Sequence, residues 1–407
     1  MRNMLELSPP RATSPLGRQN PEPTNYVTGN RTRRDDRRWM MDDGQNPESG
    51  RQKNNSSFIP HPSSLILLLF MFCALFLTAC ARQDRVFKES RFVMDTLCTI
   101  TVVSPSEKQA GKAIGAGFDS IEILEQRLSF FSSDSEVTAI NNAAGSSPVM
   151  VSKETFGLIQ KAIEVADITY GAFDPSVAPL TELWDFSGQD PEHPVVPGER
   201  EIKLALRSVG YKKIKADPSA SEVLLEEKGM KIELGGIAKG YAADMAVEAI
   251  KARGIKAALV AVAGDIKGFG SKPGNRPWNV GVQNPRTPDA KKPDRTKDII
   301  ASLHLNGEAV STSGDYQRFF IKDGKRYHHI LDPETGYPAA AGVISVSVIA
   351  PDGYMADGLS TGIFILGREK GIKLLESMGL DGIIVDADRK VHITKNLRGK
   401  INIEEAD

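Results

Sequence analysis

The sequence predicts a mixed fold in which β-strands and α-helices follow one another over most of its 407 residues. Residues 91–103 are dense in β-branched side chains, as strands are, and residues 107–128 repeat apolar side chains every three or four positions, as helices do. Residues 233–250 run from an apolar strand end through a glycine pair into an alanine-rich helical pattern. Residues 343–350 alternate as a strand and precede a helical pattern at 354–366.

The overall composition excludes several classes of protein. The net charge is −1, which gives no basic field for nucleic acid, and the mean composition is that of a soluble globular protein. Of the three cysteines, Cys73 lies in an apolar run, Cys80 ends that run, and only Cys98 lies in the predicted folded part. An intramolecular disulfide framework is therefore excluded.

The first 80 residues are predicted to lie outside the folded domain. Residues 1–62 are polar without apolar periodicity, so they are a disordered extension or reflect a misassigned translation start. Residues 63–80 are predicted to be a signal peptide, because their uncharged apolar core is short for a membrane span and ends in a sequence that resembles a bacterial lipobox. Cys80 would carry the lipid, and residues 81–90 would tether a domain at 91–407. The mature protein is accordingly expected at the periplasmic face of the cell envelope, held on a membrane by lipid.

Further elements follow from the same periodicity rules. Helical segments are predicted at 153–169 and 203–206, strands at 224–234, 256–263 and 299–305, a mobile hairpin tip at 284–297 and a hairpin at 382–394. Phe130 and Phe131 follow the first helix in a polar loop, where one ring could stack on a ligand. The alternative, in which both rings pack in the core, has the higher base rate.

The junction at residues 233–250 is compatible with a phosphate ligand. Gly235, Gly236 and Gly240 let the backbone approach a ligand closely, and a helix that begins here directs unpaired N–H groups and its positive dipole end at the same opening. Lys239 adds a mobile cation. The alternative is an ordinary strand-to-helix turn with a solvated lysine, because the pattern matches neither a Walker loop nor a dinucleotide-binding fingerprint.

Later segments contribute candidate proton-transfer and metal-binding groups. His329 stands beside His328 just before a turn and is a candidate base, with a structural histidine as the alternative. Asp357 and Thr361 are four residues apart on one predicted helical face and would present two hard oxygens to Mg²⁺. Taken alone, such an Asp is usually a helix cap, and Asp174 in its Phe-Asp-Pro segment is usually a turn residue.

The ordered set of motifs from Phe92 to Leu366 resembles the ApbE family of FAD:protein FMN transferases, and the resemblance spans nearly the whole predicted mature chain. The motifs are Met-Asp-Thr at 94–96, Leu-Ser-Phe-Phe at 128–131 with Asp-Ser-Glu at 134–136 and Asn141, Phe-Asp-Pro at 173–175, Leu-Gly-Gly-Ile-Ala-Lys-Gly-Tyr-Ala-Ala-Asp at 234–244, Thr-Ser-Gly at 312–314, His-Ile-Leu-Asp-Pro at 329–333 with Thr-Gly at 335–336, and Ala-Asp at 356–357 with Thr361.

This resemblance implies an α+β fold in which mixed β-sheets and packed helices surround a deep FAD cavity. The implied FAD-binding residues are Met94, Phe131, Asp174, Gly236, Lys239 and Ile330. The implied metal ligands are the backbone of Gly236 and the side chains of Asp357 and Thr361.

The implied reaction is a Mg²⁺-dependent transfer of FMN from FAD to a Ser or Thr hydroxyl of an acceptor flavoprotein, with release of AMP. His329 is the preferred base for that hydroxyl, and Asp265 is the second choice. Two alternatives remain open. One is a Mg²⁺-dependent FAD pyrophosphatase that yields FMN and AMP, and the other is a lipoprotein that binds FAD without chemistry.

Overall fold

Strands and helices alternate along the part of the chain that this computed structural model describes, residues 83–190, 193–286, 299–399 and 401–403. The strands are β1 (Arg85–Val93), β2 (Thr96–Ser104), β3 (Val149–Met150), β4 (Ile214–Asp217), β5 (Glu222–Leu225), β6 (Ala257–Val262), β7 (Asp265–Phe269), β8 (Trp278–Gln283), β9 (Ile299–Leu305), β10 (Ala309–Gly314), β11 (Phe319–Lys322), β12 (Lys325–His328), β13 (Val343–Ala350), β14 (Asp381–Asp386), β15 (Val391–Ile393) and β16 (Asn402–Ile403). The helices are α1 (Glu107–Leu128), α2 (Glu136–Asn142), α3 (Lys153–Ile168), α4 (Ala178–Trp184), α5 (Glu199–Leu206), α6 (Ala238–Lys251), α7 (Gly353–Leu366) and α8 (Arg368–Met378).

The centre of the fold is an eight-stranded sheet with the order β1-β2-β6-β7-β10-β13-β14-β15. Every neighbouring pair in it is antiparallel. The expectation of mixed sheets is therefore wrong in this respect. The physical reason is that short turns join neighbours such as β1 and β2 or β6 and β7, and a tight hairpin pairs its strands antiparallel. Two three-stranded sheets, β16-β9-β8 and β3-β5-β4, and the β11-β12 hairpin complete the strands of the described ranges.

The large sheet separates two hydrophobic cores. On β2, Ile100 and Val102 belong to the core that also contains Phe118 of α1, whereas Val103 belongs to a second core with Trp278 of β8. This alternation follows from the period of two along a strand. Helices α1, α6 and α7 thus cover one face, and the β8-β9 sheet covers the other. A sheet with its helices segregated in this way confirms the predicted α+β class.

The first hairpin corrects two predicted boundaries. Residues 91–103 form not one strand but parts of β1 and β2, because Met94 and Asp95 turn the chain with φ of 55° at each residue. Two consecutive positive φ angles match the twist of a hairpin, although Met rarely adopts them and no glycine marks the turn. The predicted tether at 81–90 is also shorter than expected, since β1 begins at Arg85.

Most other predicted elements are present, with adjusted ends. The helices predicted at 107–128, 153–169 and 354–366 correspond to α1, α3 and α7. The strand predicted at 224–234 is limited to β5, because the chain turns at Gly229 with a φ of 88°. Cys80, the predicted extension and signal peptide, and most of the hairpin tip lie outside the described residues. None of the helices within the described ranges is long and apolar enough to cross a membrane.

Helices α6 and α7 meet closely at their N-termini, and this contact shapes the candidate site. A Cβ atom on Gly240 would lie 2.1 Å from the carbonyl oxygen of Gly353, so only glycine permits the approach. The carboxylate of Asp244 on α6 accepts hydrogen bonds from the N–H groups of Gly353 at 2.8 Å and Tyr354 at 3.1 Å. Asp244 therefore satisfies two free N–H groups at the start of α7 and fixes that helix against α6.

Candidate functional site

A cavity of about 580 Å³ lies where the ends of several elements meet. Eight residues that the sequence singles out line it together: Phe131, Asp174, Gly236, Lys239, His329, Ile330, Asp357 and Thr361. They come from the loop after α1, the turn before α4, the start of α6, the loop after β12 and one face of α7. A volume of this size is typical of small-molecule and cofactor sites.

Helix α7 presents one face to this cavity, with two polar side chains and one apolar side chain. Asp357, Thr361 and Ile365 are spaced by four residues and all line it. Asp357 is 3% exposed, and its Oδ2 accepts a hydrogen bond from the Gly240 N–H at 2.9 Å. The N-cap position of α7 is Asp352 rather than Asp357. The interpretation of Asp357 as a helix cap is therefore wrong, and its carboxylate is available to the cavity.

Lys239 lies between two buried carboxylates. Its Nζ is 3.0 Å from Oδ2 of Asp265 and 3.7 Å from Oδ2 of Asp357. Burial alone would lower the pKa of Lys239, but the two carboxylates outweigh burial and raise it, so the ammonium stays charged. Burial and the neighbouring Asp265 raise the pKa of Asp357 to about 7, with Lys239 opposing that rise. Removing Lys239 would leave two buried acids without a counter-charge.

The oxygen donors around Lys239 fit a hard divalent cation. The carboxylates of Asp265 and Asp357 share one cationic partner, and the ammonium already occupies a place that favours positive charge. The hydroxyl of Thr361 lies 3.0 Å from Ser313 Oγ, and a Cβ on Gly236 would lie 3.5 Å from the Thr361 hydroxyl. Within the described ranges, no group of three or more His, Cys, Asp or Glu could hold a metal. A cation here would therefore also need hydroxyl and carbonyl oxygens, which suit Mg²⁺.

His329 has a fixed tautomer. Its ring Nδ1 lies 3.2 Å from the carbonyl oxygen of Arg318, and its backbone N–H donates to the same oxygen at 3.1 Å. Because a carbonyl only accepts, Nδ1 carries the ring proton, and Nε2 is left with a free lone pair. Burial and, next in size, the charge of Arg318 together lower the pKa of His329 to about 3. His329 is therefore neutral at physiological pH.

His328 and Asp265 occupy different surroundings from His329. His328 is buried, its Nε2 lies 3.1 Å from the carbonyl oxygen of Ala339, and its ring meets Phe364 edge-on. The contacts of His328 are thus those of a structural histidine, a role that the sequence left open for His329. Asp265 is buried behind Lys239, with Oδ1 accepting from Ser311 Oγ and Oδ2 paired with Lys239. It is not among the described residues that line the cavity.

Asp174 combines a turn function with a position on the cavity wall. Its Oδ1 accepts hydrogen bonds from the N–H of Ser176 at 2.8 Å and from the Ser176 hydroxyl at 2.6 Å. Its Oδ2 accepts from the N–H of Tyr211 at 3.0 Å. Burial raises the pKa of Asp174, while these hydrogen bonds oppose the rise. Both oxygens have partners, so the turn interpretation of Asp174 is right and any ligand contact would share those oxygens.

The apolar candidates separate into two groups. Phe131 is 80% exposed at the cavity and meets Phe130 edge-on, so the alternative in which both rings pack in the core is wrong. Ile330 is buried and forms part of the wall. Met94 lies in the β1-β2 turn, where its N–H donates to Glu125 Oε1 at 2.7 Å. It is not among the described residues that line the cavity, so its role as an FAD contact stays a prediction.

Glu233 and Ser313 line the cavity within the segments 233–250 and 312–314, which the sequence singles out without a role for these two residues. Arg318, which was not predicted, also lines the cavity. Phe186, likewise not predicted, adds an aromatic wall that stacks on the buried Trp184 with ring planes 5° apart. None of these residues stands at a spacing that signals a site. Arg318 could have been found only from the pairing of β11 with β12, which brings it opposite His329.

Comparison with known proteins gives one consistent result. The model of the ApbE family matches residues 94–384. A curated protein of Treponema pallidum named FAD:protein FMN transferase is 33% identical over 347 residues, covering 81% of this chain and 92% of the relative. A Klebsiella pneumoniae protein of the same name is 33% identical over 319 residues, covering 78% of this chain and 94% of the relative.

Solved structures agree with the sequence relatives. A crystal structure of the ApbE protein from Thermotoga maritima superimposes with a TM-score of 0.69 at 37% identity, covering 79% of this chain and 100% of that protein. The apo form of the flavinyl transferase ApbE from Pseudomonas stutzeri superimposes with a TM-score of 0.67 at 29% identity, covering 78% of this chain and 97% of that protein.

Proposed function

Since the chain belongs to the ApbE family, we propose that its cavity binds FAD and transfers the FMN moiety to a Ser or Thr hydroxyl of an acceptor flavoprotein, releasing AMP. This chain is a flavin transferase that moves FMN from FAD to protein. One observation carries the finer proposal: a cation, an oxygen-rich cation site and an unprotonated histidine line the same cavity, in Lys239, Asp357 and His329.

The phosphate groups of FAD would lie at the start of α6. There Lys239 and the positive dipole end of α6 supply favourable charge, although the N–H groups of Ala238 and Gly240 are already bonded to Leu234 and Asp357. Asp265 holds the ammonium of Lys239 in place at 3.0 Å. Asp357, Thr361 and the carbonyl of Gly236 would hold Mg²⁺, which when bound supplies a Lewis acid that offsets the negative charge of the pyrophosphate. Phe131, exposed at the cavity, offers its ring to the flavin.

His329 is the stronger of the two candidate bases. Its Nε2 has no proton at neutral pH, so it accepts the proton of the acceptor hydroxyl as that oxygen attacks the FMN phosphorus. Asp265 is the weaker candidate, because both of its oxygens are engaged by Ser311 and Lys239. The low pKa of His329 makes it a weak base by itself, and a bound anionic phosphate would raise that pKa toward the working range.

The protein is also proposed to work at the extracytoplasmic face of a membrane, anchored by lipid on Cys80. The uncharged apolar run that ends at Cys80 supports this proposal, together with the small residues just before it.

A product analysis tests the reaction. The purified protein is incubated with FAD, Mg²⁺ and a peptide carrying Ser and Thr, and the products are weighed by mass spectrometry. Covalent FMN on a hydroxyl with an equal amount of AMP supports the transfer. FMN and AMP beside an unmodified peptide indicate a pyrophosphatase, and unchanged FAD indicates binding alone. Chelation of the metal should stop the reaction, and added Mg²⁺ should restore it.

A further inference from the structure

The charge balance of the cavity wall is unfavourable for a pyrophosphate. Among the described residues, the cavity is lined by five acids, Asp174, Glu182, Asp185, Glu233 and Asp357, and by two cations, Lys239 and Arg318. Of the acids, Glu182 is paired at 2.6 Å with Lys231, which lies outside the lining. The ammonium of Lys239 is already shared by the carboxylates of Asp265 and Asp357. An anionic substrate therefore needs positive charge beyond that of Lys239.

Arg318 is the cation of this lining whose charge remains available. Its guanidinium forms no ion pair and no hydrogen bond with any residue in the described ranges, and the residue is exposed at the cavity. Burial raises the pKa of Glu233, and the charges of Arg318 and Lys239 oppose that rise. The guanidinium thus acts on both sides of the cavity, on Glu233 and on His329.

The β11-β12 hairpin fixes Arg318 next to the candidate base. Phe319 pairs with His328 in the ladder, so Arg318 and His329 are the next opposite pair, and the His329 N–H bond to Arg318 continues the ladder by one step. Side chains of directly opposite residues lie on the same face, with Cβ atoms about 4.5–5.5 Å apart. The guanidinium and the imidazole therefore project into the cavity together.

We propose that Arg318 is a catalytic residue that binds the non-bridging oxygens of the FMN phosphoryl group while it passes from FAD to the acceptor. This inference rests on the proposed function of the same cavity. A guanidinium is planar and always charged, and it matches two phosphate oxygens at once, which a lysine cannot do. Its place beside His329 puts that charge at the phosphorus that the acceptor attacks, where negative charge develops.

The transfer forms one bond to the FMN phosphorus and breaks one. The acceptor oxygen forms a bond to the FMN phosphorus and gives its proton to Nε2 of His329. The bond between that phosphorus and the bridging oxygen breaks, and its electron pair leaves with the phosphate oxygen of AMP. Arg318 exchanges no proton and stabilises the equatorial oxygens throughout.

Two substitutions and a matched control test this assignment. Arg318→Met removes the charge and the donors, and Arg318→Lys keeps only the charge. We expect Arg318→Met to lower kcat by about 10²- to 10³-fold, with the KM for FAD changing much less, and Arg318→Lys to recover part of the loss. The control is Arg326→Met on the same hairpin, because Arg326 stacks 3.7 Å over the Phe319 ring and is not among the described cavity-lining residues. It should retain near wild-type kcat.

AMP release, acceptor modification and thermal unfolding are measured for each variant. A kcat loss in Arg318→Met with an unchanged unfolding temperature supports the proposal. A rise in KM alone, a wild-type kcat, or an equal loss in Arg326→Met would overturn it. If the wild-type protein releases AMP without modifying any acceptor, the proposed transfer fails, while the effect of Arg318 on FAD cleavage can still be read from AMP.

Discussion

Two adjacent histidines illustrate how strongly the environment decides the role of a residue. His329 has a carbonyl partner for Nδ1 and a free Nε2 at the cavity, whereas His328 has a carbonyl partner for Nε2 and a buried Nδ1 without a partner among the described residues. Their neighbouring positions in the sequence give no hint of this difference. It arises because neighbouring residues of an extended chain face opposite sides, and His329 directly follows the last residue of β12, His328.

His329→Ala should lower the transfer rate by about 10²- to 10⁴-fold, the usual effect of losing a general base, while FAD affinity changes far less. His328→Gln serves as the comparison, since it keeps a donor for the Ala339 carbonyl. Rates of AMP release and FAD binding by fluorescence provide the two readouts. Equal small losses in both variants would make His329 structural and favour Asp265 as the base.

The pH dependence of the rate offers a second check on His329. Burial, Arg318, His328 and Lys239 all lower the pKa of this ring, to about 3, so it takes up a proton only well below neutral pH. In the free enzyme, the acidic loss of kcat/KM should therefore begin far below 6.5, the ordinary value for histidine. A decline in kcat/KM centred near 6.5, absent from His329→Ala, would contradict this assignment of the pKa.

His328 should make folding stability depend on pH. Burial lowers its pKa in the fold, with Arg326 acting in the same direction and Asp315 and the Ala339 carbonyl opposing it. Below about pH 6.5, the unfolded chain therefore binds a proton that the folded chain does not bind. The contribution of His328 to the free energy of unfolding is fully present above about pH 6.5 and is lost as the pH drops below that value. Denaturant unfolding of wild type and His328→Gln across this window measures the effect. The same slope in both proteins would show that His328 contributes nothing.

Asp357→Ala should lower Mg²⁺-dependent turnover by at least about 10²-fold, because no other carboxylate of that helical face can replace it. The fold should persist, although the Gly240 N–H loses its acceptor. Asp352→Ala is the matched control, since Asp352 stands at the N-cap position of the same helix without a side-chain cap bond. Turnover and its Mg²⁺ titration are the measurements, and near wild-type turnover in Asp357→Ala would refute the metal assignment.

At the scale of elements, the junction between α6 and α7 places the cation site. Asp244→Ala removes two charge-assisted hydrogen bonds to the start of α7 and should reduce the free energy of unfolding by roughly 1–3 kcal/mol. Because α7 carries Asp357, the variant should also bind Mg²⁺ more weakly. Chemical denaturation and Mg²⁺ titration test the two effects, and a variant as stable as wild type would mean that Asp244 does not hold the helix.

Helices and strands with a strong period of apolar residues could be predicted from the sequence, but the contacts between these elements could not. Helix α1 shows its buried face every three or four residues, so its bounds follow directly from the pattern. The Met94 turn has no glycine to mark it, so the hairpin was missed. The pairing of Lys239 with Asp265 depends on how α6 packs over β7, and no local pattern encodes a contact between distant segments. The family motifs contain most of the predicted residues that line the cavity. Arg318 could be placed beside them only from the register of the β11-β12 hairpin.

At the scale of the whole molecule, the folded domain begins close to the predicted lipid anchor. Strand β1 starts at Arg85 and the family match starts at Met94, so both lie after Cys80. The predicted site is therefore built entirely from residues that would remain after removal of a signal peptide. Its lining extends from Phe130 to Ile365.

A shortened chain beginning at Ala81 retains all of β1 and every cavity residue, so it should be soluble and as active on FAD and an acceptor peptide as the mature protein. In cells, Cys80→Ser should leave the protein without lipid and shift it from the membrane to the soluble fraction, because a thioether-linked lipid needs the cysteine sulfur. Mass spectrometry of the membrane-extracted protein and fractionation of both forms measure this. Residues 1–79 on the mature protein, or firm membrane binding of the cleaved Cys80→Ser form, would contradict the predicted N-terminus.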